Sequence, residues 1–218
     1  MIIAKQKDLT EIAKMVAPYS RIYVVGCGMC MTYCSAGGPE EVEKLAERLM
    51  AGREDLTLEK GMIPRQCSEK FIERLEEKTR NFEAILSLGC GNGVQAVAMR
   101  FPDKRVLPAL DTQFIGIEKG SGVWTEMCMA CGDCILWRTA GICPVTRCAK
   151  GLLNGPCGGS QEGRCEVSKD IPCAWQEIYY GLKRLGLLDY LKGAVQIKAW
   201  RTHPGRLVRE EAKLQQEP

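Results

Sequence analysis

AILSLGCGNGVQAVAMR, residues 84–100, is the stretch on which the fold turns. Ala84–Leu88 is a short apolar run of strand length, Gly89, Gly91 and Gly93 break it, and Val94–Arg100 takes up the pattern of a short helix. Strand, tight turn and helix make one half of a βαβ unit. Working outward, Arg21–Gly26 (RIYVVG) reads as a second buried strand. Pro39–Ala51 reads as a helix, with Pro39 suited to its first position and Glu40, Glu41 and Glu43 to the positive end of its dipole. Leu56–Ile63 is a weaker strand. Ser68 is placed to cap a helix from Glu69 to about Arg80, with Phe71, Ile72 and Leu75 on one face. Arg105–Leu110 is another strand, and Phe114–Ile117 a further candidate. Strands alternating with helices predict an α/β fold, a doubly wound parallel sheet.

Near Gly120–Thr125 regular periodicity gives way to cysteine and glycine. The expected organisation is an α/β domain over 1–122, a cysteine-rich domain over 123–192 and a tail over 193–218. The segment up to Cys173 is loop-rich for roughly fifty residues, longer than structureless loops usually run, so something other than an apolar core must hold it. From Ala174 the pattern is helical again, with Trp175, Ile178, Tyr179, Leu182 and Leu185 at spacings of three and four, a stripe expected to pack on the chain's own core. In the mixed-charge tail, Trp200 is a candidate anchor for a partner surface.

Composition narrows the function. The 218 residues are 45% hydrophobic and 26% charged, ordinary for a folded chain, and carry 13 cysteines but one histidine. A net charge of +3 and 6% aromatics argue against a nucleic-acid surface. His203, beside Pro204 in the tail, lacks the partners that general acid–base work needs. Residues 1–20 show no apolar run ahead of a small-residue cleavage site. The uncharged stretches Val24–Pro39 and Ile85–Met99 fall short of the ~20 residues that span a bilayer. A cytoplasmic location without a membrane span is therefore expected, where clustered cysteines are metal ligands or redox groups rather than disulfides.

The cysteines fall into two groups. Cys128, Cys131, Cys134, Cys143, Cys148, Cys157, Cys165 and Cys173 are packed into 128–173. Cys128-x2-Cys131-x2-Cys134 matches the first three ligands of a bacterial ferredoxin run, in which a later Cys-Pro supplies the fourth. Cys143-Pro144 stands in that role, eight residues beyond Cys134 instead of three. Eight thiolates suffice for two 4Fe–4S clusters. Tetrahedral zinc at a four-cysteine site is the alternative. Cys27, Cys30, Cys34, Cys67 and Cys90 are spread over the first half. Cys27, Cys67 and Cys90 each follow a strand, which in a parallel sheet places them at the carboxyl edge where such folds bind ligands. Five thiols for a four-ligand site predict a further cluster with one cysteine spare; the competing reading is that these are packed core thiols.

ILSLGCGNGVQAVA also resembles the nucleotide-binding motif of S-adenosylmethionine methyltransferases, with Asp111 near the place of a ribose-binding acid. Ser87 stands where that family has an acid, and little sheet remains after Asp111, so this reading ranks behind the metal one.

A longer resemblance covers roughly residues 20–192. The run Cys128-x-x-Cys131-Gly132-Asp133-Cys134, Gly141-Ile142-Cys143-Pro144-Val145-Thr146-Arg147-Cys148, Asn154-Gly155-Pro156-Cys157-Gly158-Gly159, Gly163-x-Cys165-Glu166-Val167 and Pro172-Cys173-Ala174-Trp175 resembles the methylenetetrahydrofolate reductase C-terminal domain family. With Gly26-Cys27-Gly28-x-Cys30 and Gly89-Cys90-Gly91-x-Gly93-Val94-Gln95, the chain is similar to the small iron–sulfur subunit of two-subunit methylenetetrahydrofolate reductases. The resemblance implies a partner, a (βα)8 barrel that carries a flavin and binds the folate, and a role in the acetyl-CoA pathway of anaerobic one-carbon metabolism. The expected function is then electron transfer. An external donor, ferredoxin or a further redox subunit, reduces clusters in this chain, and electrons pass to the partner's flavin, which reduces methylenetetrahydrofolate to methyltetrahydrofolate. No catalytic residue is expected here. A zinc-stabilised assembly subunit of the same reductase is the competing class.

Overall fold

The computed structural model describes residues 1–192 and 197–207. The chain forms two compact units, Met1–Glu126 and Met127–Pro218. In the first, β1 (Ile2–Gln6) and α1 (Leu9–Val16) precede β2 (Arg21–Cys27), a single turn α2 (Cys30–Tyr33) and α3 (Pro39–Ala51). Then come β3 (Thr57–Ile63), α4 (Glu69–Ile72), α5 (Glu76–Thr79), β4 (Ala84–Leu88), α6 (Gly91–Arg100), β5 (Arg105–Pro108), β6 (Leu110–Gly120) and β7 (Val123–Cys128), which leads into the second unit.

A four-stranded sheet has the order β3-β2-β4-β5, and every pair in it is parallel. Because side chains alternate along a strand, each strand feeds both faces. Ile22, Val24, Leu86 and Leu88 join Ile12 and Val16 of α1 and Val42, Leu45 and Leu49 of α3. Tyr23, Val25 and Ile85 join Ile72, Leu75, Val97 and Phe101 on the other side. Strands buried on both faces read as the continuous apolar runs that made them legible.

A second sheet departs from the sequence reading. β6 is antiparallel to β1, with Ile2 opposite Ile115 and Gln6 opposite Leu110, and β7 lies on its other edge. Residues 110–117 therefore do not extend the parallel sheet. Pro108 ends β5, Ala109 makes the last backbone bond to β4 through Ser87, and the chain passes to β1, where Lys7 N–H donates to the Ala109 carbonyl. The helix expected from Glu69 to about Arg80 is broken by a 3-10 turn over Glu73–Leu75. That tighter turn stacks residues three apart, and it brings Ile72 and Leu75 together into the core. Ser68 caps through its carbonyl, accepting from the N–H groups of Phe71 and Ile72, and its hydroxyl takes no part.

The second unit has α7 (Pro144–Arg147), α8 (Ala174–Leu185) and short 3-10 turns at Leu136–Arg138 and Leu188–Leu191. Trp175, Ile178 and Leu182 of α8 form its buried apolar cluster, while Tyr179 and Leu185, expected on the same stripe, are exposed. The helix closes on Gly186 in the left-handed conformation.

The turn after α2 lies directly on β4. A Cβ on Gly37 would stand 2.2 Å from the Leu88 carbonyl oxygen, a backbone atom with no freedom to yield. Gly37→Ala is expected to cost about 1–3 kcal/mol, the range for overpacking. The control Gly52→Ala, where a Cβ would meet ordinary contacts at 3.7 Å, should stay within about 0.5 kcal/mol. Urea midpoints at constant m-value check both; equal midpoints would refute the close-approach argument.

Candidate metal centre

Four thiols of the second unit share one recess. Cys148, Cys157, Cys165 and Cys173 line it together with Arg147, Lys150, Glu166 and Trp175. A small hairpin supports two of them: Gln161 and Arg164 exchange backbone bonds, Cys165 N–H donates to Ile171, and Cys173 N–H to Gly163. Cys173 is the N-cap of α8. Gly159 N–H donates to Cys157 Sγ at 3.4 Å. Trp175 packs beside the recess, its Nε1 held by the Leu152 carbonyl at 2.9 Å. Lys150 pairs with Glu166 and Arg147 with Glu177 at 2.8 Å. The Glu166 carboxyl is held below the usual range by Lys150 first and by the Cys157 thiol second.

The CxxCxxC loop forms a second group. Cys128 and Cys134 are exposed, Cys131 and Cys143 half-buried. Ala130 N–H donates to Cys128 Sγ at 3.3 Å, and the Cys131 thiol lies 3.9 Å from the Asp133 carbonyl. Cys143 caps α7, which Thr146 Oγ1 ties to the Met127 carbonyl at 3.0 Å. The tail returns to this loop. Lys198 Nζ donates to the Asp133 carbonyl, Ala199 N–H to Asp133 Oδ2 at 3.2 Å, Arg201 Nε to the Ala130 carbonyl at 2.7 Å, and Arg201 N–H to the Cys131 carbonyl at 3.3 Å. Trp200 is 54% exposed, with Lys198 over its ring. His203 is exposed.

In the first unit the parallel order sets Cys27 at the end of β2, Cys67 after β3 and Cys90 at the N-cap of α6 after β4, along one edge. Cys27, Cys34 and Cys90 are buried, Cys30 half-buried and Cys67 exposed. Desolvation pushes the Cys67 thiol up, and neighbouring Cys90 and Cys27 add to the shift. Cys34 is also pushed up, by burial first, and its electrostatic neighbour among the thiols is Cys30.

Among the described residues no three or more cysteine, histidine or acidic side chains converge on a common metal-binding point. Two features nonetheless suit thiolate-ligated metal: four thiols around one recess, and backbone N–H groups aimed at Sγ atoms.

Sequence reasoning missed Gln66. It is fully buried, its Nε2 donates to the Val25 carbonyl at 2.9 Å, and its Oε1 accepts from Ser87 Oγ, which in turn accepts from Gly89 N–H at 3.1 Å. This network fixes the neighbours of Cys67 and Cys90. The pair joins Gln66, in the loop after β3, to Ser87, inside β4, and such a pairing across the sequence is not something periodicity reveals. Gln66 also fills the space over Gly89 and Gly93, where added Cβ atoms would meet it at 2.5 Å and 2.8 Å. Asp111 is tied to Lys7 at 2.6 Å. The glycine turn thus serves side-chain packing, against the methyltransferase reading.

Residues 107–201 match the family described as "Methylene-tetrahydrofolate reductase C terminal". The match takes in every cysteine from Cys128 to Cys173 and ends at Arg201. No curated protein matches the chain. No helix among the described residues is long and apolar enough to cross a membrane.

Exposure and desolvation predict a reactivity order in the metal-free chain. Cys128, Cys134 and Cys157 should be alkylated at least about tenfold faster than Cys27, Cys34 and Cys90 near pH ~8. The Cys67 rate should keep climbing above about pH 9.5, where a free thiol of pKa ~8.5 has nearly levelled off, because its pKa is raised. Peptide mapping after timed iodoacetamide quenching reads both; uniform rates would contradict the packing described.

Proposed function

We propose that this chain is the iron–sulfur, electron-transferring subunit of a methylenetetrahydrofolate reductase. The observation that carries the reading is the recess lined by Cys148, Cys157, Cys165 and Cys173, inside a stretch that matches the reductase family. These four thiolates would hold one 4Fe–4S cluster, and Cys128, Cys131, Cys134 and Cys143 a second. Cys27, Cys67 and Cys90, with Cys30 or Cys34, would hold a third at the sheet edge. Cys34, buried and raised in pKa, is the better candidate for the spare thiol.

Bound clusters supply one-electron transfer, while hydride chemistry belongs to a flavin in a barrel-shaped partner that binds the folate. The chain's residues do the holding and tuning. The N–H groups of Ala130 and Gly159 stabilise negative sulfur, Trp175 limits water at the recess, and Arg147 and Lys150 place positive charge beside it, each offset by a carboxylate. A reductant such as ferredoxin or a further redox subunit would be the donor.

Anaerobic expression of the full chain tests the reading. Three clusters predict about twelve irons and matching sulfide per chain, with Cys165→Ser losing about four and Cys34→Ser losing none. Dithionite reduction should give the EPR signals of reduced cubanes. Zinc at one site would leave about eight irons and one zinc, and a chain with zinc but no iron would mean an assembly role. Alone, the chain should not oxidise reduced viologen with folate. Titrated into the flavin subunit, it should restore that activity.

A further inference from the structure

Lys198 is an unusual residue to find buried. Its side chain is 1% exposed, and lysine is rarely buried so far without a counter-charge. Its Nζ has a carbonyl oxygen, that of Asp133, and a carboxylate at 4.0 Å that is itself 46% exposed. With the Trp200 ring, whose centroid lies 5.3 Å from Nζ, these contacts surround the ammonium without burying a counter-charge beside it. The Cys131 thiol reaches the same Asp133 oxygen at 3.9 Å, so the ammonium and the sulfur share one acceptor atom.

Arg201 continues the pattern three residues later. Its Nε and backbone N–H take the carbonyls of Ala130 and Cys131, and its stem lies against Gly132, where an added Cβ would stand 2.7 Å from the Arg201 Cβ. Residues 198–201 thus bind the loop's carbonyls at Ala130, Cys131 and Asp133, while Ala130 N–H remains directed at Cys128 Sγ. Ala130 (φ 53°) and Gly132 (φ 93°) both adopt positive φ. Such a backbone persists for a non-glycine residue only where its surroundings enforce it.

We infer that residues 198–201 form a cationic clasp, in which Lys198 and Arg201 hold the Cys128–Cys134 loop in ligating form and raise the reduction potential of the cluster it carries. The inference rests on the iron–sulfur reading above. A reduced cluster carries one more negative charge than its oxidised form, so a nearby buried cation stabilises the reduced state. The clasp residues are positioning residues: they act through the loop and its thiolates.

The test uses the full chain prepared anaerobically, as wild type, Lys198→Met, Lys198→Arg, Arg201→Met and the exposed control Lys44→Met. Iron and sulfide are counted, and EPR-monitored titrations give the midpoint of each signal. Lys198→Met should shift one midpoint downward by about tenfold in the oxidised-to-reduced ratio, about 59 mV for one electron. Arg201→Met should shift the same signal in the same direction. Lys198→Arg and Lys44→Met should leave it in place. Loss of about four irons in Lys198→Met, recovered in Lys198→Arg, also supports the clasp. Full iron content with unmoved midpoints in both methionine variants overturns it, as does equal iron loss in Lys198→Met and Lys198→Arg, which would make the role steric. A wild-type chain without iron or sulfide overturns the underlying reading, a result distinct from any of these.

Discussion

The second unit is short of apolar burial, and its architecture follows from that shortage. Trp175, Ile178 and Leu182 make its buried cluster, with Ala140, Ile142 and Leu152 packed against them. One amphipathic helix cannot order the long irregular segment from Met127 to Cys173 by hydrophobic contact, since backbone ordering costs about 1–2 kcal/mol per residue. Order comes instead from local devices. A hairpin carries Cys165 and Cys173, the Arg147–Glu177 pair ties α7 to α8, and the tail binds the loop between Ala130 and Asp133. Each of these devices adjoins a cysteine, so the chemistry and the local folding of this unit share their residues.

The first unit solves the opposite problem. Its central strands β2 and β4 are buried on both faces, and its two apolar clusters order the backbone by ordinary packing. Its cysteines are therefore free to be either packing or ligands, and three of them do pack: Cys27, Cys34 and Cys90 are part of the apolar cluster on one face. The carboxyl edge gathers Cys27, Cys67 and Cys90 because β3, β2 and β4 are neighbours in the sheet. Gln66 and Ser87 brace that edge with buried hydrogen bonds, which confer specific geometry at a place where apolar packing alone would not.

Continuous apolar runs at Arg21–Cys27 and Ala84–Leu88, and the Pro39 and glutamate signals opening α3, were legible from residues alone because strand and helix periods and dipole preferences act over a few neighbours. So was the helix from Ala174 to Leu185. The antiparallel sheet was not. Ile2–Gln6 breaks off into Lys5 and Gln6 after three apolar residues, too little to announce a strand, and it becomes one through pairing with β6 more than a hundred residues away. The exposed positions of Tyr179 and Leu185 were likewise hidden, since a narrow apolar cluster covers less of the helix than its spacing offers.

For the candidate sites, the sequence alone determined which groups are there to ligate: thirteen thiols, one histidine and a CxxCxxC run can be read without coordinates because they depend on residue type and short spacing. Only the tertiary structure decided which thiols share a wall, that Cys148, Cys157, Cys165 and Cys173 do so, and that Lys198 and Arg201 close on the loop of Cys131. Those groupings join residues up to seventy-one positions apart. They arise from where irregular backbone finds hydrogen-bond partners, and that choice has no period for a sequence to display.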